Sequence, residues 1–141
     1  MMEIERAKRY KDKTCIIIKR SNQIESWVQD LSYDQFLDDD RTKLATYKAF
    51  QEIVEACMDI VAMMCKDLNL VPKDDYSNIE DLDKIDRKTK ASLAAANGLR
   101  NRLVHRYNQT DDRVALKSIN ALLPDLSDFV EMVELWIRRQ L

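Results

Sequence analysis

The segment Gly98–Gln109, GLRNRLVHRYNQ, holds the single glycine, the single histidine and three arginines of a 141-residue chain. Arg100 and His105 are the side chains there whose types suit chemistry, and the chemistry they suit is that of a phosphodiester. An arginine offers a rigid, permanently charged fork to a phosphate and stabilises charge developing on it. A histidine titrates near neutrality and moves a proton to or from a ribose hydroxyl or a leaving oxygen. Cleavage of RNA through its own 2′-hydroxyl needs only those two services and no metal. One histidine is too few for a separate acid and base, but a symmetric dimer brings two to a shared cleft. The plainer account of the same residues is a helix-end histidine beside a solvated arginine face, and spacing alone leaves both open.

On an ideal helix Arg100, Leu103, Val104 and Tyr107 share a face, while His105 lies about 140° from Arg100 and nearest Asn101. Either the helix ends between Arg100 and His105, or the two meet around a groove made with a second copy. The turn residues from Asn108 onward favour a helix end close to His105. Gly98 falls in helix interior, at a cost of about 1 kcal/mol relative to alanine. With Ala94, Ala95 and Ala96 it makes a small-residue surface, explained either by tight packing within the chain or by close approach of another backbone or a substrate.

The elements that must position this segment read as helices. One Gly and two Pro are too few for the turns of a sheet. Residues 3 to about 30 carry Ile4, Ala7, Thr14, Ile17, Ile18, Ile24, Val28 and Leu31 at helical spacing. Ser32 and Gln35 form a capping-box pattern opening a short turn through Phe36 and Leu37. Asp38–Asp40 suits the start of the next helix, which runs to about Asn69 with Leu44, Tyr47, Phe50, Val54, Cys57, Val61, Met64 and Leu68 near one stripe. Its middle, IVEACMDIVAMM, is apolar on most sides and is the expected centre of the core. The polar stretch NLVPKDDYSNIED, with Pro72, reads as the longest loop. A third helix spans about Asp86 to near Arg102. Asn108 to Asp112 is a turn with Thr110 or Asp111 as N-cap, and a last helix covers roughly residues 112–140, kinked or restarted at Pro124. The expectation is a single all-α domain over residues 1–141, an antiparallel up-and-down bundle of four to five helices.

Composition narrows the function classes. No apolar run approaches the roughly 18 to 20 residues that span a bilayer, and the charged start lacks the apolar centre of a secretory signal, so a cytoplasmic protein is expected. Cys15, Cys57 and Cys65 have no CxxC and no nearby histidine, which argues against zinc and for reduced core thiols. From Arg87 to Lys117 eight Lys or Arg face two acids, net +6, whereas the remainder carries 15 basic and 23 acidic residues, net −8. A protein that coats nucleic acid non-specifically is usually basic throughout. Charge confined to one segment suits a local anionic site.

Arg100, four residues, His105, one residue, Tyr107 resembles the signature of the HEPN-domain ribonuclease toxins of the HepT type. LRNRLVHRY also has the polar Asn101 directly after the arginine and the Arg102–Leu103–Val104 filler. Upstream, EIVEACMDIVAMM is similar to the second long helix of that family, and the loop with Pro72 and Tyr76 falls where the family has one. The likeness covers roughly residues 35 to 135. It implies a helical, HEPN-like homodimer with the motifs of both subunits in a cleft at the interface, cleaving RNA without metal or cofactor as the toxin of a toxin–antitoxin pair. It implies a partner, a minimal nucleotidyltransferase antitoxin that AMPylates Tyr107, in an assembly of a size left open. Residue by residue, Arg100 would hold the scissile phosphate and His105 would transfer the proton. Asn101 and Arg102 would support the site, and Tyr107 would be both a site residue and the modified one. Two further readings remain: a non-catalytic nucleotide-binding partner subunit of such a nucleotidyltransferase, and a purely structural dimerising bundle.

Overall fold

A computed structural model describes all of residues 1–141. It contains helices and no strands: α1 (Ile4–Val28), α2 (Tyr33–Asp38), α3 (Asp40–Asp67), α4 (Asp75–Asp81), α5 (Arg87–His105) and α6 (Asp112–Gln140), with a 3-10 turn at Tyr107–Gln109. No helix is long and apolar enough to cross a membrane.

The boundaries follow from local chemistry. Ser32 and Gln35 form the expected reciprocal capping box at α2. Asp39, Asp74 and Asp86 each accept the backbone N–H three residues on, opening α3, α4 and α5. Asp111 accepts from Arg113 and Val114 to open α6. In each case a carboxylate sits at the positive end of a helix, where its charge is favoured.

The four long helices run up, down, up and down. Arg6–Asp67, Lys13–Asp59 and Arg20–Glu52 pair α1 with α3 in antiparallel order. The Met2 N–H donates to the Gln140 carbonyl at 2.9 Å, and the Tyr10 and Trp136 rings meet edge-on, setting α1 against α6 in the same sense. Ser92 donates to Asp125 at 2.7 Å between α5 and α6. The buried residues of α1 are Tyr10, Thr14, Ile17, Ser21, Ile24 and Val28, spaced alternately by four and three, the seam of a coiled-coil-like contact. The middle of α3 is the most enclosed part of the chain, with Phe50, Ile53, Val54, Cys57, Ile60 and Val61 fully buried.

Several expectations are corrected. The stretch read as one long loop contains α4. Pro72 and a run of polar residues hide it, but Asp74 caps it and its Ile79, with Leu82 just beyond, is buried in the core. Pro124 does not interrupt α6, which is helical throughout. Its ring and Asn120, whose carbonyl loses a partner, are both exposed, so water solvates that carbonyl while Leu123, Leu126 and Phe129 hold the helix to the core. Leu44, assigned to the α3 stripe, is 53% exposed because it lies about 60° round from Tyr47 towards Lys48. Ile4 and Ile18 of the α1 stripe also face outward, whereas Tyr10, outside that stripe, is fully buried. Cys57 and Cys65 are buried free thiols, but Cys15 is exposed on α1. Burial pushes the Cys57 thiol far above its ordinary range, leaving it inert.

Candidate active site at the end of helix α5

Helix α5 continues past Arg100 and ends at His105, one turn beyond the Arg102 limit expected from sequence. The Arg106 N–H donates to the Arg102 carbonyl at 2.8 Å, and Arg106 leaves the helix with φ −132° and ψ 37°. Arg100 and His105 therefore share an unbroken helix, separated by about 140° and by about 7.5 Å along its axis. No hydrogen bond joins them. Of the two arrangements open from sequence, a helix end between them is ruled out.

Arg100 points back into the fold. Its side chain is only 19% exposed, and its guanidinium donates to Asn97 Oδ1 at 3.3 Å and lies 3.8 Å from an Asp75 carboxylate oxygen on α4. Its Nε is buried without a partner. An orphaned donor of this kind costs about 1 to 3 kcal/mol unless something supplies an acceptor. His105, by contrast, is exposed and bonded to nothing. Asn101 is half-buried on the same helix, nearest His105, and Arg102 is exposed.

Gly98 is not explained by tight packing within the chain. A Cβ built there would meet only Arg102 Nη1 and the Tyr76 hydroxyl, both at 3.7 Å, ordinary contact with two mobile tips. The surface over Gly98 is therefore flanked by the α4 tyrosine and an arginine of the segment.

Tyr107 begins the 3-10 turn, 36% exposed, with its ring edge-on to Tyr47 of α3 at 6.0 Å between centroids. Tyr47 packs in turn on Phe36 and donates its hydroxyl to Asp112 at 2.6 Å. Burial, then that hydrogen bond, pushes the Tyr47 phenol well above its usual range, so it stays a neutral donor. The Lys43 ammonium donates to the other Asp112 oxygen at 3.1 Å, which raises its pKa. Tyr107 thus rests on a seat built from α2, α3 and α6, with its own hydroxyl unbonded.

The structure brings Asn101, Arg102, His105 and Tyr107 to one end of the bundle and sets Arg100 deeper, against α4. The sequence reading misses the supports: Asn97, Asp75 and Tyr76 around Arg100, and Lys43, Tyr47 and Asp112 beneath Tyr107. In the sequence Tyr47 is visible only as a core position and Asp112 only as a helix start. No cluster of three or more His, Cys, Asp or Glu able to hold a metal is present.

The HepT-like ribonuclease family model matches residues 17–133. Two curated proteins of Archaeoglobus fulgidus, each named "Putative RNase", are similar in sequence. One is 44% identical over 84 residues, covering 57% of this chain and 64% of that protein. The other is 33% identical over 112 residues, covering 75% and 82%. The fold is similar to that of the tri-AMPylated HEPN toxin of Shewanella oneidensis, solved in complex with its MNT antitoxin. The TM-score is 0.83 at 21% identity, over 94% of this chain and 98% of that one. YutE of Bacillus subtilis, a cytosolic protein of unknown function, has the same fold, with a TM-score of 0.78 at 17% identity over 100% and 96%.

Proposed function

The chain belongs to the HepT-like ribonuclease family, and from that premise we propose that it is a metal-independent RNA-cleaving toxin with its active site at a homodimer cleft. The observation that carries this reading is the state of Arg100. It is a largely buried guanidinium whose one hydrogen bond, to Asn97, and one ion pair, to Asp75, are both long, and so donors remain on it for a phosphate. In the proposed reaction the substrate's 2′-oxygen gives its proton to the imidazole of one His105 and bonds to phosphorus. The 5′-oxygen leaves with a proton from His105 of a second copy. The products are a 2′,3′-cyclic phosphate and a 5′-hydroxyl. Arg100 stabilises the charge on the phosphate as it develops, while Asn101 and Arg102 support the site. The divergence of Arg100 and His105 round one helix favours a site completed by a second copy.

Tyr107 is the proposed site of control. Its hydroxyl is unbonded and partly exposed, so a minimal nucleotidyltransferase antitoxin can reach it. Attack of that hydroxyl on the α-phosphorus of ATP forms a tyrosyl–AMP ester and releases pyrophosphate. The added negative charge and bulk stand two residues from His105 and oppose RNA phosphate.

Metal-free cleavage in EDTA tests the reading, using protein whose unmodified Tyr107 is verified by intact mass. The parent should cut RNA, and His105→Ala should lose about 10²- to 10⁴-fold in rate with its melting temperature unchanged. Equal cleavage by both removes His105 from the mechanism. One observation favours a second reading, a nucleotide-binding partner subunit of the nucleotidyltransferase: nothing in the fold orients His105. Nucleotide binding with no cleavage of any RNA would select it.

A further inference from the structure

A cavity of about 280 Å³ lies between the end of α5 and the start of α6. Arg102, Arg106, Gln109, Thr110, Asp111 and Ser118 line it. Several cations elsewhere in the basic region are spoken for: Arg87 by Glu80 at 2.7 Å, Arg113 by Asp34 at 2.7 Å and Lys90 by the Glu80 carbonyl at 2.7 Å. The guanidinium groups of Arg102 and Arg106 make no ion pair and no hydrogen bond. The two residues lie four apart, about 6 Å along the helix, and both line this cavity.

We propose that this cavity is a subsite for a second RNA phosphate, one nucleotide along from the bond that is cut. The proposal rests on the ribonuclease reading above. Passing round α5 from Arg100, a strand meets His105 after about 140° and Arg102 about 60° further on, with Arg106 at the helix end beyond it. The order of groups is thus phosphate clamp, proton-transfer group, then two free cations.

Arg106 is firmly mounted. Its N–H is bonded to Arg102, and its carbonyl accepts from the Gln109 N–H and the Thr110 hydroxyl, both at 2.9 Å. The one acid in the lining, Asp111, has an oxygen tied to the Arg113 and Val114 amides at 3.1 and 3.2 Å. Its charge is therefore directed into the N-terminus of α6, where the helix dipole offsets it. The Gln109 amide and the Ser118 hydroxyl have no partner in the fold and are free for sugar contacts. Paired guanidinium forks in a concave site match the charge and the oxygens of a phosphate diester.

The test measures binding of a short oligoribonucleotide to the full chain carrying His105→Ala, which silences cleavage, across a range of salt. Adding Arg106→Gln should weaken binding and lower the slope of log affinity against log salt by about 0.7, the value for one phosphate of a single strand left unneutralised. Arg106→Lys should restore most of the slope. In the His105 parent, Arg106→Gln should raise KM and leave kcat within about twofold. A trinucleoside diphosphate should bind the parent more tightly than a dinucleoside monophosphate, and Arg106→Gln should abolish that difference. An unchanged slope and KM, in a variant with parental melting temperature, overturn the subsite alone. If the parent cuts no RNA but the slope still depends on Arg106, the subsite stands and the ribonuclease reading falls.

Discussion

Two clusters of charged groups, one at each end of the bundle, are treated in opposite ways. Where α1 begins and α3 and α6 end, Arg6 grips both oxygens of Asp67 at 3.0 and 3.2 Å, and Tyr10 donates to the same carboxylate at 2.6 Å. Where α5 ends and α6 begins, Arg102, His105 and Arg106 have nothing to bind within the chain. Charge is matched in the first cluster and left over in the second. Unmatched cations contribute nothing to folding and repel one another, so a chain that carries them in a row must be held together elsewhere. With the active site placed as proposed, stability and chemistry should be separable along the bundle axis.

Exchange of roles between the ends would break that comparison. The largest expected effect is at the far end. Tyr10→Phe removes a hydrogen bond to a part-buried carboxylate and should cost about 1 to 2 kcal/mol, lowering the melting temperature by roughly 3 to 8 °C. RNA cleavage at a temperature where the variant is folded should be unchanged. A drop in cleavage there, or a drop in stability for His105→Ala, would mean that the ends are coupled.

Gly98→Ala should have a smaller effect of the opposite sign. The new methyl meets nothing closer than 3.7 Å, so helix propensity should add up to about 1 kcal/mol of stability. Cleavage should fall if a second copy or RNA comes close over Gly98. Higher stability with full cleavage would show that nothing approaches there.

The smallest effect is in acid. Backbone N–H groups of Thr42, Ser77 and Thr89, first among the causes, hold Asp39, Asp74 and Asp86 below the usual carboxylate range. Their folded values are lower than their unfolded ones, so the unfolded chain binds more protons between the two. Their contribution is complete above the unfolded value of about 4 and disappears as pH falls through the folded value. Melting temperature should decline from pH 5 to pH 3, and Asp86→Asn, which keeps a capping oxygen but does not titrate, should decline less.

The sequence exposes what depends on near neighbours. The capping box at Ser32, the N-cap at Asp86 and the buried middle of α3 are all written within a few residues. α4 escapes because its cap stands behind Pro72 and its apolar residues are only Ile79 and, just past its end, Leu82. The placing of Pro124 inside a helix depends on which face it takes, and that is a tertiary fact. The basic segment is legible as a set of residue types. Its supports are not, since Tyr47 reaches Asp112 across 65 positions and Arg100 meets Asp75 across a helix the sequence does not announce.

The α1–α3 contact carries a further consequence. Its cations, Arg6, Lys13 and Arg20, recur every seven residues, and so do its buried residues Tyr10, Ile17 and Ile24. If α1 slid by seven residues along α3, most pairs of like kind would be recreated. The phenol of Tyr10 is not repeated at Ile17 or Ile24, and it is Asp67 that receives it. With the Met2–Gln140 bond and the Tyr10–Trp136 contact, that hydroxyl works as an index mark: it favours one alignment over its neighbours one heptad away.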